Sequence, residues 1–343
     1  MSDTSSGNDP FSLWVSGSEP VRELQKYVES VTSKDSGCFI PEEDRIAVFD
    51  MDGTILSENN PGDIEWVMYL RRVLNDPSYN PSEEQKRMAE EMIEAIRTGV
   101  KKPGFTERKN NCNAKAFSGM TVSEYRQYVE RFLSGPSGTF EGAARKNLFY
   151  LPMVQIIEYL KSKGFTVFVC SATESLNVRT TLSGAVDIPP NQIIGTDYLL
   201  VASRQGEKDG LDYILGKDEE LVYTDKVLMV ASGLNKVVKL IQSIGKRPVL
   251  AFGNGTGDYS MLTFVSENPE YRSMSFMLLA DDSVRDYGNP ERTIPLRKHA
   301  EEMGWPVISV KNDFRTIYGD KIKPRYKDIS GFFSEVLDGR FAG

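Results

Sequence analysis

The sequence contains almost no histidine. His299 is the single histidine among 343 residues, and it lies in a charged segment, RKHAEEMG, that we expect to face solvent. An enzyme with one histidine near its end is expected to perform its acid–base chemistry with other side chains. No G-x-S-x-G motif surrounds Ser171, so a serine-hydrolase triad is not indicated.

Cysteine is also scarce. The three cysteines form no C-x-x-C pair, which excludes a disulfide framework and argues against a structural zinc site. Cys38 and Cys112 are open to two interpretations, one disulfide or two buried thiols, and the thiols are favoured.

Long apolar segments and basic runs are absent as well. No window approaches eighteen consecutive apolar residues, so we predict no membrane span. Residues 1–10 lack the basic and apolar regions of a signal peptide, which leaves two localisations open: the cytoplasm, or export with the signal removed. With 41 Lys and Arg against 49 Asp and Glu, the net charge is −8, and no basic run exceeds two residues. A nucleic-acid backbone is therefore not the expected partner.

The length and composition fit about two globular domains. Residues 1–20 are rich in Ser, Gly, Asp and Pro, so we predict a flexible N-terminal arm, with Phe11, Leu13 and Trp14 as possible anchors. An amphipathic helix is predicted after this arm, over residues 21–32.

Short apolar runs then alternate with helical patterns. Buried strands are predicted at 46–49, 166–170, 248–252, 276–279 and 306–310. Strands separated by helices and buried on both faces indicate an α/β fold with a Rossmann-like parallel sheet. Residues 57–148 differ, because they are charged and helical (81–97 and 122–133) and are broken by a polar loop at 101–113. We therefore predict an α/β core domain, residues 21–56 and 149–343, with an inserted α-helical domain at 57–148.

Three of the predicted strands end in polar turns that contain glycine or small residues. They are the DMDGT turn from Asp50 to Thr54, the SAT turn from Ser171 to Thr173, and the GNGTGD turn from Gly253 to Asp258. Ligands of open parallel sheets bind beyond the carboxyl ends of the strands. If the three strands are neighbours, the three turns form one site.

The carboxylates of these turns suit phosphoryl transfer. Asp50, Asp52 and Asp258 offer only oxygen ligands, which is the set that Mg²⁺ prefers. A carboxylate nucleophile can form an aspartyl-phosphate. A second carboxyl can protonate the leaving alcohol and then deprotonate the attacking water.

Other residues of the turns are candidates for phosphate binding. Gly53 allows backbone N–H groups to approach a ligand closely. The hydroxyls of Thr54 and Ser171 can donate hydrogen bonds to phosphate oxygens. Glu58, which follows the first turn, is a candidate substrate contact, with an ordinary surface position as the open alternative.

A lysine is expected at this site, because carboxylates and a phosphate leave excess negative charge. Lys236 begins the helix that leads to the third strand and is the best candidate, ahead of Lys239 and Lys246. Chemistry based on aspartates and a lysine also accounts for the shortage of histidine.

These residues resemble the motifs of the haloacid dehalogenase (HAD) superfamily. VFDMDGT at 48–54 is similar to the first motif, Ser171 to the second, Lys236 to the third and GNGTGD at 253–258 to the fourth. A helical insertion between the first two motifs is similar to the C1-capped branch that contains phosphoserine phosphatases. The resemblance covers roughly residues 20–318.

The resemblance implies roles for individual residues. Asp50 would be the nucleophile and Asp52 the general acid/base. Mg²⁺ would be held by the Asp50 carboxylate, the Asp52 backbone carbonyl and Asp258. Ser171 would bind phosphate, and Lys236 would bridge the nucleophile and the phosphate.

The sequence departs from this pattern at two positions. Asn254 stands where many members of the branch carry an acid, so its amide is expected to act on the metal through a water. The site then has one negative charge fewer, which affects metal affinity and metal choice. Ala172 stands where glycine is frequent and crowds the phosphate-binding turn.

The sequence therefore predicts a Mg²⁺-dependent phosphatase that hydrolyses a small phosphomonoester metabolite through an aspartyl-phosphate. Two alternatives stay open: a phosphomutase, and a non-catalytic protein that binds a phosphate ligand. A dehalogenase is disfavoured, because halide leaves without the proton that Asp52 supplies. Neither the substrate nor the oligomeric state is predicted.

Overall fold

The structure, a computed structural model, describes residues 9–58, 64–328 and 332. The strands in chain order are β1 Ile46–Phe49, β2 Phe140–Glu141, β3 Thr166–Glu174, β4 Ile193–Ala202, β5 Leu221–Met229, β6 Leu250–Gly253, β7 Met274–Leu279, β8 Val307–Ser309 and β9 Lys323–Pro324. The helices are α1 Glu19–Thr32, α2 Ile64–Asn75, α3 Glu83–Thr98, α4 Phe105–Phe117, α5 Val122–Ser134, α6 Leu151–Ser162, α7 Ser175–Leu182, α8 Leu234–Ile244, α9 Tyr259–Ser266, α10 Pro290–Glu302 and α11 Val310–Asp313.

A seven-stranded sheet in the order β5-β4-β3-β1-β6-β7-β8 forms the centre of the fold. All neighbouring pairs are parallel except β4 and β5. β1 lies between β3 and β6, with Val48 opposite both Phe168 and Ala251. The carboxyl ends of β1, β3 and β6 therefore lie side by side, and the predicted α/β, Rossmann-like sheet is confirmed.

Both faces of the sheet are buried. Along β1, Ala47 and Phe49 belong to one apolar cluster and Val48 to another, as the alternation of a strand requires. Stacked rings bind the central strands together, since Phe252 lies 4.3 Å from Phe49 and 4.9 Å from Phe276, centroid to centroid. This burial explains why β1 is a short, fully apolar run.

Four helices, α2 to α5, lie between β1 and β3 in the chain and are called the helical insertion below. Capping boxes at Ser82 and Thr121 begin α3 and α5. The predicted polar loop at 101–113 is wrong, because residues from Phe105 onward form α4. Three polar side chains of α4, Lys109, Asn110 and Asn113, are buried, and Lys109 pairs with Glu65. The other polar side chains of α4 are exposed, so the helix has a polar outer face and a partly polar inner face.

The antiparallel hairpin of β4 and β5 was not predicted from the sequence. β5 is the edge strand of the sheet, and it also contacts the helical insertion. The backbone N–H of Gly119 donates to Tyr223 O at 2.9 Å, and Tyr223 N–H donates to Met120 O at 2.9 Å. The insertion is thus attached to the edge of the sheet through main-chain hydrogen bonds.

Residues 9–20 pack on the protein, in contrast to the predicted flexible arm. Trp14 is 4% exposed, donates from Nε1 to Pro152 O at 3.1 Å and contacts the Phe314 ring at 4.9 Å. The anchors proposed from the sequence therefore fix this part of the arm. Residues 1–8 lie outside the described residues.

Two predictions about absent features can be compared with the structure. Cys38, Cys112 and Cys170 are all free thiols, so the alternative of a Cys38–Cys112 disulfide does not hold. Within the described part of the chain, no helix is long and apolar enough to cross a membrane.

Candidate active site

The turn after β1 places two carboxylates, those of Asp50 and Asp52, at the carboxyl end of this central strand. Asp50 continues the ladder, donating its N–H to Phe252 O at 2.9 Å. Gly53 has a φ of +82°, and a Cβ there would lie 1.8 Å from Asn254 Nδ2. Only glycine fits both this conformation and this close approach. The N–H of Gly53 donates to Leu56 O, so it supports the turn itself instead of pointing at a ligand.

Lys236 joins the first and third turns. Its ammonium donates to Asp50 Oδ1 at 2.5 Å, Asp258 Oδ1 at 2.7 Å and Cys170 O at 2.7 Å. The side chain is 2% exposed. The structure thus brings together Asp50 after β1, Lys236 of α8 and Asp258 of the turn after β6, as the motifs suggested.

The two other lysines that the sequence left open lie elsewhere. Lys239 pairs with Asp197 and Lys246 pairs with Asp44. Lys236 is therefore the lysine that contacts the candidate nucleophile.

The charges of this cluster are unbalanced, because two carboxylates share one ammonium. Burial and the Asp258 carboxylate raise the pKa of Asp50 to about 7, although Lys236 acts in the opposite direction. Burial lowers the pKa of Lys236, but the Asp258 and Asp50 carboxylates outweigh burial and raise it overall. A negative surplus remains that a proton or a metal cation can neutralise.

Asp52 is held by hydroxyls from the end of β3. Its Oδ2 accepts from Thr173 Oγ1 at 2.8 Å and from Ser171 Oγ at 3.3 Å. Ser171 also accepts the N–H of Thr173 at 3.1 Å. The second turn therefore lies against Asp52 as predicted, and Thr173 is a contact that the sequence did not assign.

Thr54 is fully buried beneath the site. Its hydroxyl donates to Asp50 Oδ2 at 3.3 Å. The structure therefore places Thr54 on the candidate nucleophile, whereas the sequence suggested a direct phosphate contact.

The turn after β6 holds Asp258 in place. Its Oδ2 accepts the backbone N–H groups of Asn254 at 2.9 Å and Gly255 at 3.1 Å. A Cβ on Gly253 would lie 2.6 Å from the Asp258 Cβ, so glycine lets the aspartate fold back onto the strand end.

Glu58 contacts the site from the start of the insertion. It accepts a hydrogen bond from Asn254 Nδ2 at 2.6 Å, and its other oxygen lies 3.7 Å from Arg292 Nη2. Arg292 was not among the predicted site residues; it lies in the first turn of α10, which begins at Pro290. The Asn289–Pro290 pair, a helix-start signal, could have located it.

A cavity of about 400 Å³ opens over the carboxylates. Its wall includes Asp50, Asp52, Lys236 and Asp258. A second cavity of about 340 Å³ shares Glu58, Lys101, Ala172 and Arg292 with the first and extends to Trp66 and Phe105 of the helical insertion. Together they form a space that connects the carboxylates to the insertion.

The donor set fits a hard cation. The carboxylate oxygens of Asp50 and Asp258 suit Mg²⁺, which usually takes one or two protein carboxylates and completes its shell with water and substrate phosphate. In the described ranges, no group of three or more His, Cys, Asp or Glu side chains forms a ready-made metal cage. The residues are therefore compatible with Mg²⁺ shared with substrate and poorly suited to a closed structural metal site.

Comparison with known proteins gives a family-level match. The model of the haloacid dehalogenase-like hydrolases matches residues 47–263, which include all three strand-end turns. No curated protein sequence matches the chain.

Solved structures share the fold at low sequence identity. A protein of unknown function from Bordetella pertussis Tohama I is 17% identical, with a TM-score of 0.50, over 77% of this chain and 97% of that one. A cytosolic 5'-nucleotidase IIIB bound to cytidine is 13% identical, with a TM-score of 0.52, over 94% of this chain and 92% of that one. At these identities the likeness concerns the fold.

Proposed function

This chain belongs to the haloacid dehalogenase-like hydrolases, and we propose that it is a Mg²⁺-dependent phosphatase that hydrolyses a small phosphomonoester through an aspartyl-phosphate. The membership confirms the resemblance drawn from the motifs. The observation that carries the proposal is the Asp50 carboxylate at the wall of a 400 Å³ cavity, with Lys236 at 2.5 Å and Asp52 beside it.

In the first half-reaction, a carboxylate oxygen of Asp50 attacks the phosphorus and the bond from phosphorus to the alcohol oxygen breaks. Asp52, in its acid form, gives its proton to that oxygen, so the product leaves as an alcohol. The ammonium of Lys236 offsets the negative charge where nucleophile and phosphate meet.

In the second half-reaction, the Asp52 carboxylate accepts a proton from water as the water oxygen attacks the phosphorus. The bond between phosphorus and Asp50 breaks, and inorganic phosphate is released. Ser171 and Thr173 hold the Asp52 carboxylate in place. Ser171 and Ala172 form the proposed phosphate-binding turn.

Mg²⁺, held by Asp50, the Asp52 backbone carbonyl and Asp258, would supply positive charge to the phosphoryl oxygens. Asn254 would act on it through a water, by way of its amide oxygen, since its amide nitrogen donates to Glu58.

The helical insertion would serve as the C1 cap at 57–148, over a core of 21–56 and 149–343. Trp66, Lys101 and Phe105 of the insertion line the cavity that continues from the carboxylates. A cap in this position limits the access of bulk water to the phosphoenzyme. Glu58, at the boundary, is then a substrate contact that is held by Asn254 and Arg292.

The proposal is tested with p-nitrophenyl phosphate and a panel of phosphoserine, phosphocholine, sugar phosphates and a nucleoside 5'-monophosphate, with Mg²⁺ or EDTA. Asp50→Asn is expected to lower kcat by about a thousandfold or more, because the nucleophile is lost. The exposed Asp225→Asn is the matched control and should keep wild-type kcat.

Three outcomes decide between the candidates. Wild-type activity in Asp50→Asn rules out the aspartyl-phosphate. Transfer of the phosphoryl group to a second hydroxyl of the product indicates a phosphomutase. Tight binding of esters without turnover indicates a binding protein.

A further inference from the structure

A buried ion pair of the helical insertion contacts the end of β3. Glu65 of α2 is 1% exposed and accepts from Lys109 Nζ of α4 at 2.7 Å. Its other carboxylate oxygen accepts the backbone N–H of Glu174 at 3.1 Å. We propose that Glu65 is a positioning residue, which fixes the end of β3 so that Thr173 orients the Asp52 carboxylate. This inference rests on the proposed role of Asp52 as general acid/base.

The end of β3 needs such support because it leaves the ladder. Cys170 is opposite Ile194 and Glu174 is opposite Thr196, so four steps along β3 match two along β4. Residues 171–173 therefore bulge from the sheet. Within the bulge, the carbonyl of Ala172 is held by Thr196 Oγ1 at 2.6 Å. The N–H that closes the bulge, that of Glu174, is held by Glu65.

The bulge carries the groups that bind Asp52. Thr173, which directly precedes Glu174, donates to Asp52 Oδ2 at 2.8 Å. A hydrogen bond of this length is lost when the donor moves by about 1 Å. Movement of the Glu174 backbone is therefore transmitted to the Asp52 carboxylate through one peptide unit and one hydroxyl.

The contact between Glu65 and the Glu174 N–H also links the docking of the helical insertion to the orientation of Asp52. Glu65 and Lys109 lie on different helices of the insertion, and a carboxylate this buried is stable only with its partners in place. The acceptor for Glu174 N–H is therefore present only when α2 and α4 are docked on the core. Docking of the insertion thus completes the support of the general acid/base.

The test compares two esters that differ in their need for an acid. 2,4-Dinitrophenyl phosphate has a leaving group that departs without protonation, whereas the alkyl phosphate turned over fastest in the panel above needs the proton from Asp52. Glu65→Ala is expected to lower kcat/KM for the alkyl ester at least about tenfold more than for the dinitrophenyl ester, as part of the 10²–10⁴-fold effect of general acid catalysis.

Two further variants serve as controls. Tyr198→Phe removes another buried contact between insertion and core, the 2.7 Å hydrogen bond from Asn113 Nδ2, and this bond involves none of residues 171–173. It should affect both esters equally. Glu65→Gln/Lys109→Met keeps an acceptor for Glu174 N–H without a buried charge, and it should return the ratio of kcat/KM for the two esters most of the way to the wild-type value. Equal losses for both esters in Glu65→Ala, or the same ratio in Tyr198→Phe, overturn the inference.

Hydrogen exchange separates this inference from the proposed function. Glu65→Ala should raise exchange in residues 171–177, and Tyr198→Phe should not. If the wild type hydrolyses no ester, the proposed function fails, and unchanged exchange in Glu65→Ala then refutes the structural role of Glu65 independently. Should Glu65→Ala not fold, Glu65→Leu/Lys109→Met carries the same comparison, because it removes the acceptor for the Glu174 N–H without leaving an unpaired ammonium.

Discussion

Replacement of Lys236 by methionine removes the ammonium that two buried carboxylates share, while it keeps most of the side-chain volume. Lys236 lies 2.5 Å from Asp50 and 2.7 Å from Asp258, and all three side chains are at most 8% exposed. The variant therefore leaves two carboxylates in a buried site without a counter-charge.

The expected loss of unfolding free energy is about 3–5 kcal/mol, the range for breaking a buried ion pair from one side. The loss should not reach the sum of two pairs, because one carboxylate can take up a proton. Removal of Lys236 raises the pKa of Asp50 further, since the ammonium opposes the rise that burial and Asp258 cause.

The sign of the pH dependence follows from this rise. An acid with a raised pKa in the folded state binds more protons there than in the unfolded chain, so stability falls as pH rises from the unfolded pKa to the folded one. The destabilisation of Lys236→Met should therefore be larger at pH 8 than at pH 5.5. Added Mg²⁺ should restore part of it.

The assay is urea unfolding at both pH values, in EDTA and in Mg²⁺. Lys246→Met is the matched control, because Lys246 pairs with Asp44 in an exposed position, where a pair contributes about 0–1 kcal/mol. If Lys236→Met and Lys246→Met have the same stability at pH 8, the argument that Lys236 neutralises both Asp50 and Asp258 is refuted.

Two further predictions concern the turn after β1 and the end of β3. Gly53→Ala should lower both stability and kcat, because the φ of +82° and the contact with Asn254 exclude a Cβ. Gly99→Ala, with φ +72° and no neighbour within 4 Å, controls for backbone strain alone. Equal effects of the two substitutions on kcat would contradict the argument from the close approach of Asn254. Burial raises the pKa of Glu174 to about 7, so wild-type stability should fall between pH 5 and 8. Glu174→Gln should reduce that dependence without abolishing it, because the pKa of Asp50 is also raised to about 7, and it should gain up to about 3 kcal/mol at pH 8 in urea unfolding. An unchanged slope would show that Glu174 does not titrate in this range.

The sequence allowed the core of the fold and much of the site to be predicted because their signals are local. The four-residue run before Asp50 matches β1 from Ile46 to Phe49 without error, since a strand buried on both faces leaves a continuous apolar run. The proximity of Asp50, Ser171 and Asp258 then required only that β1, β3 and β6 be neighbours.

Other elements could not be predicted because their residues pair over long distances. α4 looks like a polar loop in the sequence, since Lys109 and Asn113 give no sign that they are buried against Glu65 and Tyr198. The β4–β5 hairpin was missed although β4 contains the apolar run YLLVA at 198–202, because its partner β5 has a single buried residue, Tyr223, and so lacks the pattern of a strand that is buried on both faces. For the same reason, no local pattern around Glu65 connects it to residue 174.

The attachment of the helical insertion to β5 has a consequence for how the chain folds. Gly119 and Met120 form their hydrogen bonds with the backbone of Tyr223. Tyr223 leaves the ribosome long after the insertion itself. Contacts of such sequence separation form late and slow the folding of the elements that depend on them. During synthesis the four helices therefore stay incompletely packed until β5 has left the ribosome. An excised segment of residues 57–148 would lack that strand and should not reach the packing that it has in the whole chain.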